Sequence, residues 1–105
     1  MTDVFLFDAV RTPRGKARLD GGLADLSPQE LVRTQIEALK DRRGSGIERA
    51  EALLLGCVTQ SGAQGANIAL ISKLHSGLDD SVAALTINNY CASGLSAIGQ
   101  AIAMV

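Results

Sequence analysis

The sequence has little net charge, no long hydrophobic run and no sign of a secretory signal. Ten Lys and Arg residues stand against eleven Asp and Glu residues, which gives a formal net charge of -1. Binding to nucleic acid or to an anionic membrane needs a concentration of positive charge, so both classes of partner are excluded. No apolar run approaches the roughly 20 residues that span a bilayer. The start MTDVFLFDAV also lacks the basic region and the small-residue cleavage site of a secretory signal. We therefore expect a cytoplasmic protein.

Cysteine and histidine are also scarce. Cys57 and Cys91 are the two cysteines, and His75 is the one histidine. Thiols in the cytoplasm normally stay reduced, so we expect no disulfide. Cys57 lies in the apolar stretch ALLLGCV and is predicted to be a packed structural thiol. His75 is predicted to be a surface residue. No metal site is predicted.

The length and composition are those of one folded domain or part of one. The chain has 105 residues, of which 47% are hydrophobic and 20% are charged. These values are close to those of an ordinary globular protein and favour neither disorder nor a coiled coil.

Short apolar runs alternate with helical patterns along the chain. Three of the runs are bounded and too short for most helices, so they are predicted to be buried strands: residues 4–10, 52–58 and 82–87. Three helices are predicted to follow them: one that begins at Ser27, one over residues 66–76 and one from Ser93. This order predicts an α/β fold in which a largely parallel sheet has helices on both faces.

The strongest local pattern marks the start of the first helix. Ser27 can cap a helix, Pro28 suits the first helical position, and Glu30 follows the serine by three residues. Apolar residues at helical spacing then define one face. The sequence Arg42, Arg43, Gly44 is predicted to end the helix.

The last part of the chain has no charge at all between residues 81 and 105. Leu95, Ile98 and Ile102 recur at helical spacing there, so the final helix is predicted to be buried on almost all sides, inside a larger body. The sequence reaches Val105 without a glycine or a cation that would end a helix. We therefore expect the chain to be truncated within this helix.

The segment NNYCASG, residues 88–94, joins the third predicted strand to the final helix. Parallel sheets hold their chemistry beyond the carboxyl ends of the strands, where this segment is expected to lie. Free N–H groups at a helix amino terminus would stabilise a Cys91 thiolate and could hold an oxyanion. A free cysteine is also commonly a small buried core residue. Position alone leaves both roles open for Cys91.

Three segments of the chain resemble the thiolase family. NNYCASGLSA, residues 88–97, resembles the segment with the nucleophilic cysteine. DAVRTPRGK, residues 8–16, resembles the first strand and the loop after it. GCVTQSGAQGANIA, residues 56–69, resembles the segment after the second strand. The order and spacing match over nearly the whole chain, which is therefore similar to the opening part of a thiolase.

This resemblance implies a five-layered α/β fold of two similar domains, with residues 1–105 forming part of the amino-terminal one. It also implies acyl transfer between acyl-CoA thioesters, by thiolytic cleavage of a 3-ketoacyl-CoA or Claisen condensation of acetyl-CoA. Cys91 matches the acyl-carrying nucleophile, and its N–H matches one oxyanion donor. Coenzyme A thioesters would be substrates, and no tightly bound cofactor is implied. The family's acid and base residues belong to its carboxy-terminal domain, so we expect residues 1–105 alone to be inactive.

The resemblance also implies a homo-oligomer, a dimer or a tetramer. The third predicted strand is apolar and would lie at a sheet edge, which needs covering. In thiolases this strand pairs with its two-fold mate.

Two other interpretations stay open: a ketoacyl synthase of the same superfamily, and a stand-alone binding or assembly module without turnover. A cluster of cations is predicted to lie on a solvated loop rather than to bind coenzyme A phosphates: Arg11, Arg14, Lys16 and Arg18. Leu70 stands where thiolases commonly have an arginine.

Overall fold

The computed structural model describes residues 2–105. Within that range the chain forms four α-helices, one short 3-10 helix and two strands. In chain order they are α1 (Pro28–Arg43), α2 (Ser45–Glu48), β1 (Ala52–Gly56), the 3-10 helix (Gly62–Gln64), α3 (Ile68–His75), β2 (Ala83–Ile87) and α4 (Ser93–Ala103). The alternation of helices with parallel strands confirms the predicted α/β class.

The two strands are parallel and pair along their whole length. Ala52 lies opposite Ala83, and Gly56 lies opposite Ile87. The N–H of Cys57 extends the ladder by donating to the Ile87 carbonyl at 3.0 Å. Helix α3 connects the strands and packs against both, while α1 packs on α3 and α4 packs on the sheet. The carboxyl ends of β1 and β2 therefore meet at one edge.

Helix α1 begins and ends where the sequence predicts. Ser27 caps it by accepting a hydrogen bond from the Glu30 N–H at 3.2 Å, and Pro28 occupies its first position. Gly44 closes it with a φ of +54°, a conformation that favours glycine, and its N–H donates to the Lys40 carbonyl. The Glu30 side chain contacts Arg33 and His75 instead of completing a capping box.

A polar cluster fixes the start of α3 against β2. The Asn67 side chain caps the helix by accepting from the Leu70 N–H at 3.2 Å, and it also accepts from the Thr86 hydroxyl at 2.7 Å. The same hydroxyl accepts from the Ala69 N–H at 3.1 Å. The buried apolar residues of the core are Ile36, Cys57, Ile68, Ala69, Val82 and Ala97.

The predicted first strand, residues 4–10, does not form. Phe5, Leu6 and Phe7 are 70%, 86% and 81% exposed, and the segment pairs with no strand among residues 2–105. The segment contacts α1 through Asp8, whose carboxylate lies 3.0 Å from both Arg42 and Arg43 at the end of that helix. The prediction was wrong for this segment because an apolar pattern makes a strand only where a neighbour satisfies its backbone.

The final helix is largely exposed within residues 2–105, so its burial inside a larger body stays a prediction. Leu95, Ile98 and Ile102 are 73%, 59% and 51% exposed, while Ser93 and Ala97 are buried. Within residues 2–105 the main packing partner of α4 is the sheet, which covers one face of the helix. Strand β1 is likewise half-buried along its length instead of covered on both faces. No helix in this part of the chain combines the length and the apolar character needed to cross a bilayer.

Candidate active site

Cys91 lies at the carboxyl edge of the sheet, in the loop between β2 and α4. It is exposed and precedes the first residue of α4, Ser93, by two positions. This is the location that the strand–loop–helix pattern predicts. The thiol therefore lies beside the first turn of α4.

Strand β1 approaches the start of α4 through a glycine. A Cβ atom built on Gly56 would lie 2.7 Å from the Gly94 nitrogen and 2.8 Å from the Ser93 carbonyl oxygen. Real Cβ atoms do not approach backbone atoms so closely, so the contact requires glycine. The end of β1 therefore sets the position of the first turn of α4.

The residue before the cysteine has an uncommon backbone conformation. Tyr90 has a φ of +48°, in the left-handed region, and its side chain is largely exposed. Its N–H donates to the Asn88 side-chain oxygen at 3.0 Å, and its carbonyl accepts from the Ser93 hydroxyl at 2.6 Å. Hydrogen bonds on both sides of Tyr90 thus hold this turn.

Two more contacts connect the loop to its surroundings. The Asn88 side-chain amide donates to the Val58 carbonyl at 3.2 Å, just beyond β1. The Asn89 side-chain amide donates to the Ser96 hydroxyl on α4 at 2.9 Å. Both asparagines belong to the predicted segment 88–94, but neither was predicted to have a role of its own. The local pattern that could have indicated them is a pair of Asn residues followed by serines, since Asn and Ser commonly bond nearby backbone groups.

The Cys91 N–H has no hydrogen-bond acceptor within residues 2–105. The next two N–H groups, those of Ala92 and Ser93, donate to the carbonyls of Asn89 and Tyr90. One donor beside the thiol is therefore free to bind an oxygen atom that develops negative charge.

His75 lies away from the Cys91 loop. It is the last residue of α3, which starts at the carboxyl edge of the sheet beside Thr86 and ends before β2 begins. Its Nε2 lies 2.9 Å from Glu30 on α1, and its side chain is 45% exposed. The predicted surface location is confirmed. Hydrogen bonds from Arg33, and then from His75, lower the pKa of Glu30 to about 2.

Cys57 is buried, in agreement with the predicted packed thiol. Its Sγ lies 3.6 Å from the Gln64 side-chain oxygen and 3.8 Å from the Thr59 carbonyl. Both cysteines are free thiols. The four cations of the early loop are exposed, as expected for a solvated loop: Arg11, Arg14, Lys16 and Arg18. Among residues 2–105 no cluster of His, Cys, Asp and Glu is arranged to hold a metal ion.

Comparison with known proteins gives one consistent result. The chain is 39% identical over 100 residues to a beta-ketoadipyl-CoA thiolase of Pseudomonas aeruginosa, an alignment that covers 94% of this chain and 24% of that protein. It is 35% identical over 101 residues to a 3-ketoacyl-CoA thiolase of Bacillus subtilis, covering 96% of this chain and 26% of the relative. It is 42% identical over 98 residues to a protein of Escherichia coli named probable acetyl-CoA acetyltransferase, covering 93% and 24%.

The chain spans about a quarter of the length of these curated relatives. The family model described as the thiolase N-terminal domain matches residues 4–105, nearly the whole chain. The α/β fold and the cysteine loop at the sheet edge agree with that match, and the chain therefore belongs to the thiolase family.

Proposed function

We propose that this chain supplies the nucleophile-bearing part of an acyltransferase that acts on acyl-CoA thioesters. The observation that supports this most directly is the exposed Cys91 beside its own unpaired N–H at the start of α4. A nucleophile and an oxyanion donor are the two groups that attack on a thioester carbonyl needs first.

In the proposed first step, the Cys91 thiolate attacks the thioester carbonyl carbon of an acyl-CoA. The carbonyl oxygen becomes negatively charged, and the Cys91 N–H donates to it. The carbon–sulfur bond to coenzyme A then breaks, so the acyl group stays on Cys91 and coenzyme A leaves as a thiolate that takes up a proton. In the condensation, the carbanion of acetyl-CoA would then take the acyl group from Cys91. In thiolytic cleavage, Cys91 would instead attack the 3-keto carbon of a 3-ketoacyl-CoA, the carbon–carbon bond to the acetyl-CoA part would break, and acetyl-CoA would leave as a carbanion that takes up a proton. The thiol of a coenzyme A would then take the acyl group.

The proton acceptor and donor for these steps must come from outside residues 2–105. His75 contacts Glu30 and the buried Cys57 contacts Gln64, and neither side chain is hydrogen-bonded to Cys91. General acid and base groups contribute about 10²- to 10⁴-fold to such steps. We propose that they belong to a further part of a longer enzyme.

The names of the relatives indicate the class of substrate. Those proteins are named for beta-ketoadipyl-CoA, 3-ketoacyl-CoA and acetyl-CoA. We propose acyl-CoA thioesters as substrates here, with no tightly bound cofactor, and a cytoplasmic location. We also propose a homo-oligomer, because β2 pairs only with β1 within residues 2–105 and leaves its outer edge open.

Acylation by acetyl-CoA tests the proposed nucleophile. The chain would be incubated with excess acetyl-CoA, and peptide mass spectrometry would locate any acetyl thioester. We expect up to one acetyl group per chain, on Cys91, which is lost in Cys91→Ala and kept in the matched control Cys57→Ala. An acetyl group found only on Cys57, or no adduct in a folded chain, would contradict the proposal.

A further inference from the structure

The left-handed conformation of Tyr90 needs support from its neighbours. A non-glycine residue in this region has a steric cost that persists only where surrounding contacts maintain it. Tyr90 is 77% exposed, so its side chain gains little from packing. The support must come from the hydrogen bonds of the loop.

Ser93 provides two of these hydrogen bonds with one buried hydroxyl. Its side chain belongs to a residue that is 4% exposed. The Oγ accepts from the Asn89 N–H at 2.9 Å and donates to the Tyr90 carbonyl at 2.6 Å. One oxygen therefore joins the two residues that precede Cys91 to the first residue of α4.

Asn88 provides a second connection, from the opposite side. Its side-chain oxygen accepts from the Tyr90 N–H at 3.0 Å, while its amide donates to the Val58 carbonyl at 3.2 Å. The loop is thus attached both to the helix and to the segment that follows β1. Rotation at Tyr90 would break contacts on both sides of Cys91.

We propose that Asn88 and Ser93 are positioning residues for Cys91: they hold the backbone so that the thiol stays at the amino terminus of α4. This role rests on the proposed function of Cys91. Neither side chain touches the substrate carbonyl in the mechanism above. Their effect comes through the place of the sulfur relative to the helix, because the influence of a helix terminus on a negative charge falls off within the first turn.

Alkylation of Cys91 by iodoacetamide measures this effect without coenzyme A. For each variant, the rate of Cys91 alkylation in the native chain would be divided by the rate of Cys91 alkylation in urea. This reactivity ratio removes any difference in the intrinsic reactivity of the thiol. We expect Ser93→Ala to lower the ratio about fivefold, the factor that a charge at a helix terminus typically gives. Ser93→Thr keeps the hydroxyl and should restore most of the ratio.

Asn88→Ala is the second variant, because Asn88 is exposed and its loss is less of a threat to folding than the loss of a buried serine. We expect a similar fall in the ratio. Ser81→Ala is the matched control, since Ser81 also makes a short turn hydrogen bond, to Asp79 at 2.6 Å, in the turn that precedes β2. Its ratio should equal that of the unmodified chain. Circular dichroism would confirm that each variant is folded.

An unchanged ratio in folded Ser93→Ala and Asn88→Ala would overturn the positioning role. An equal fall in Ser81→Ala would also overturn it, because the effect would then be general loosening of the chain. Failure of the proposed function has a different result: no acetyl group on Cys91 after incubation with acetyl-CoA, whatever the iodoacetamide ratios are.

Discussion

Ser72 is a buried residue of α3 whose hydroxyl has no hydrogen-bond partner within residues 2–105. A buried hydroxyl without a partner costs about 1–3 kcal/mol, and alanine is also the better helix former. We expect Ser72→Ala to raise the free energy of unfolding by about 1 kcal/mol, measured by urea titration.

Ser93→Ala is the matched comparison, because Ser93 is also buried but makes two hydrogen bonds with its hydroxyl. Its loss should lower the free energy of unfolding by about 2 kcal/mol, at about 1 kcal/mol for each bond. If Ser72→Ala were as destabilising as Ser93→Ala, the Ser72 hydroxyl would have to form a hydrogen bond in solution.

Glu30 makes the stability of the chain depend on pH in acid. The pKa of this carboxyl is about 2 in the folded chain and 4.5 ordinarily, so folding favours its ionised form. The stability from its contacts with Arg33 and His75 is present above about pH 4.5, and is lost as the pH falls towards 2.

Urea titrations between pH 5 and 2 would measure this dependence. We expect Glu30→Gln to flatten the loss of stability over that range. Glu37→Gln is the control, because Glu37 contacts the same Arg33 from the next turn of α1 but has no contact with His75. Equal slopes for the unmodified chain and Glu30→Gln would show that Glu30 titrates normally.

At the scale of elements, the close contact between β1 and α4 predicts opposite effects for two glycines. A Cβ on Gly56 would collide with the backbone of Ser93 and Gly94, whereas a Cβ on Gly99 in α4 would meet nothing within 4 Å. We expect Gly56→Ala to lower the free energy of unfolding by about 1–3 kcal/mol, the usual cost of overpacking. Gly99→Ala should raise it by about 0.5–1 kcal/mol through helix propensity.

Urea titration of both variants checks this pair. A Gly56→Ala chain as stable as the unmodified one would mean that α4 can move away from β1 at little cost.

Elements with local determinants were predictable from the sequence, and elements that depend on distant partners were not. Helix α1 has its cap, its proline and its terminal glycine within its own residues, so its limits were predicted correctly. Residues 4–10 have the composition of a strand but no pairing neighbour within residues 2–105, and composition cannot supply one. Short α2 has no side-chain cap and was not predicted at all.

The candidate site was predictable in position but not in detail. The change from strand to helix around residue 91 placed Cys91 at the sheet edge, where the structure has it. The contacts of Asn88 and Ser93 depend on the left-handed turn at Tyr90, and nothing in the residue type of a tyrosine predicts that conformation.

At the scale of the whole molecule, we expect residues 1–105 alone to show no sustained turnover with acetyl-CoA. Within residues 2–105 the one histidine contacts Glu30 on α1, and no titratable side chain is hydrogen-bonded to Cys91. Release of free coenzyme A, followed over time, checks this. Continued release that disappears in Cys91→Ala would show that the chain contains a complete catalytic apparatus.

The exposed apolar surface predicts self-association of the same chain. Leu85 on β2 is 40% exposed and Leu95 on α4 is 73% exposed. If copies pair through the open edge of β2, a charge there should oppose it, so we expect Leu85→Lys to shift sedimentation towards monomers. Leu95→Lys is the control and should leave the oligomer intact; dissociation by this variant alone would place the contact on α4 instead.

The parallel pairing of β1 with β2 through α3 also determines the order in which the chain can assemble. Parallel strands cannot be joined by a tight turn, so the connection that contains α3 must fold back before β1 and β2 can pair. The loop at residues 88–92 depends on Val58 beyond β1 and on Ser93 of α4, so its bonds can form only afterwards. During synthesis α4 leaves the ribosome after every other element described here. Cys91 is exposed in the folded chain as well, so the docking of α4 fixes the place of its thiol without shielding it.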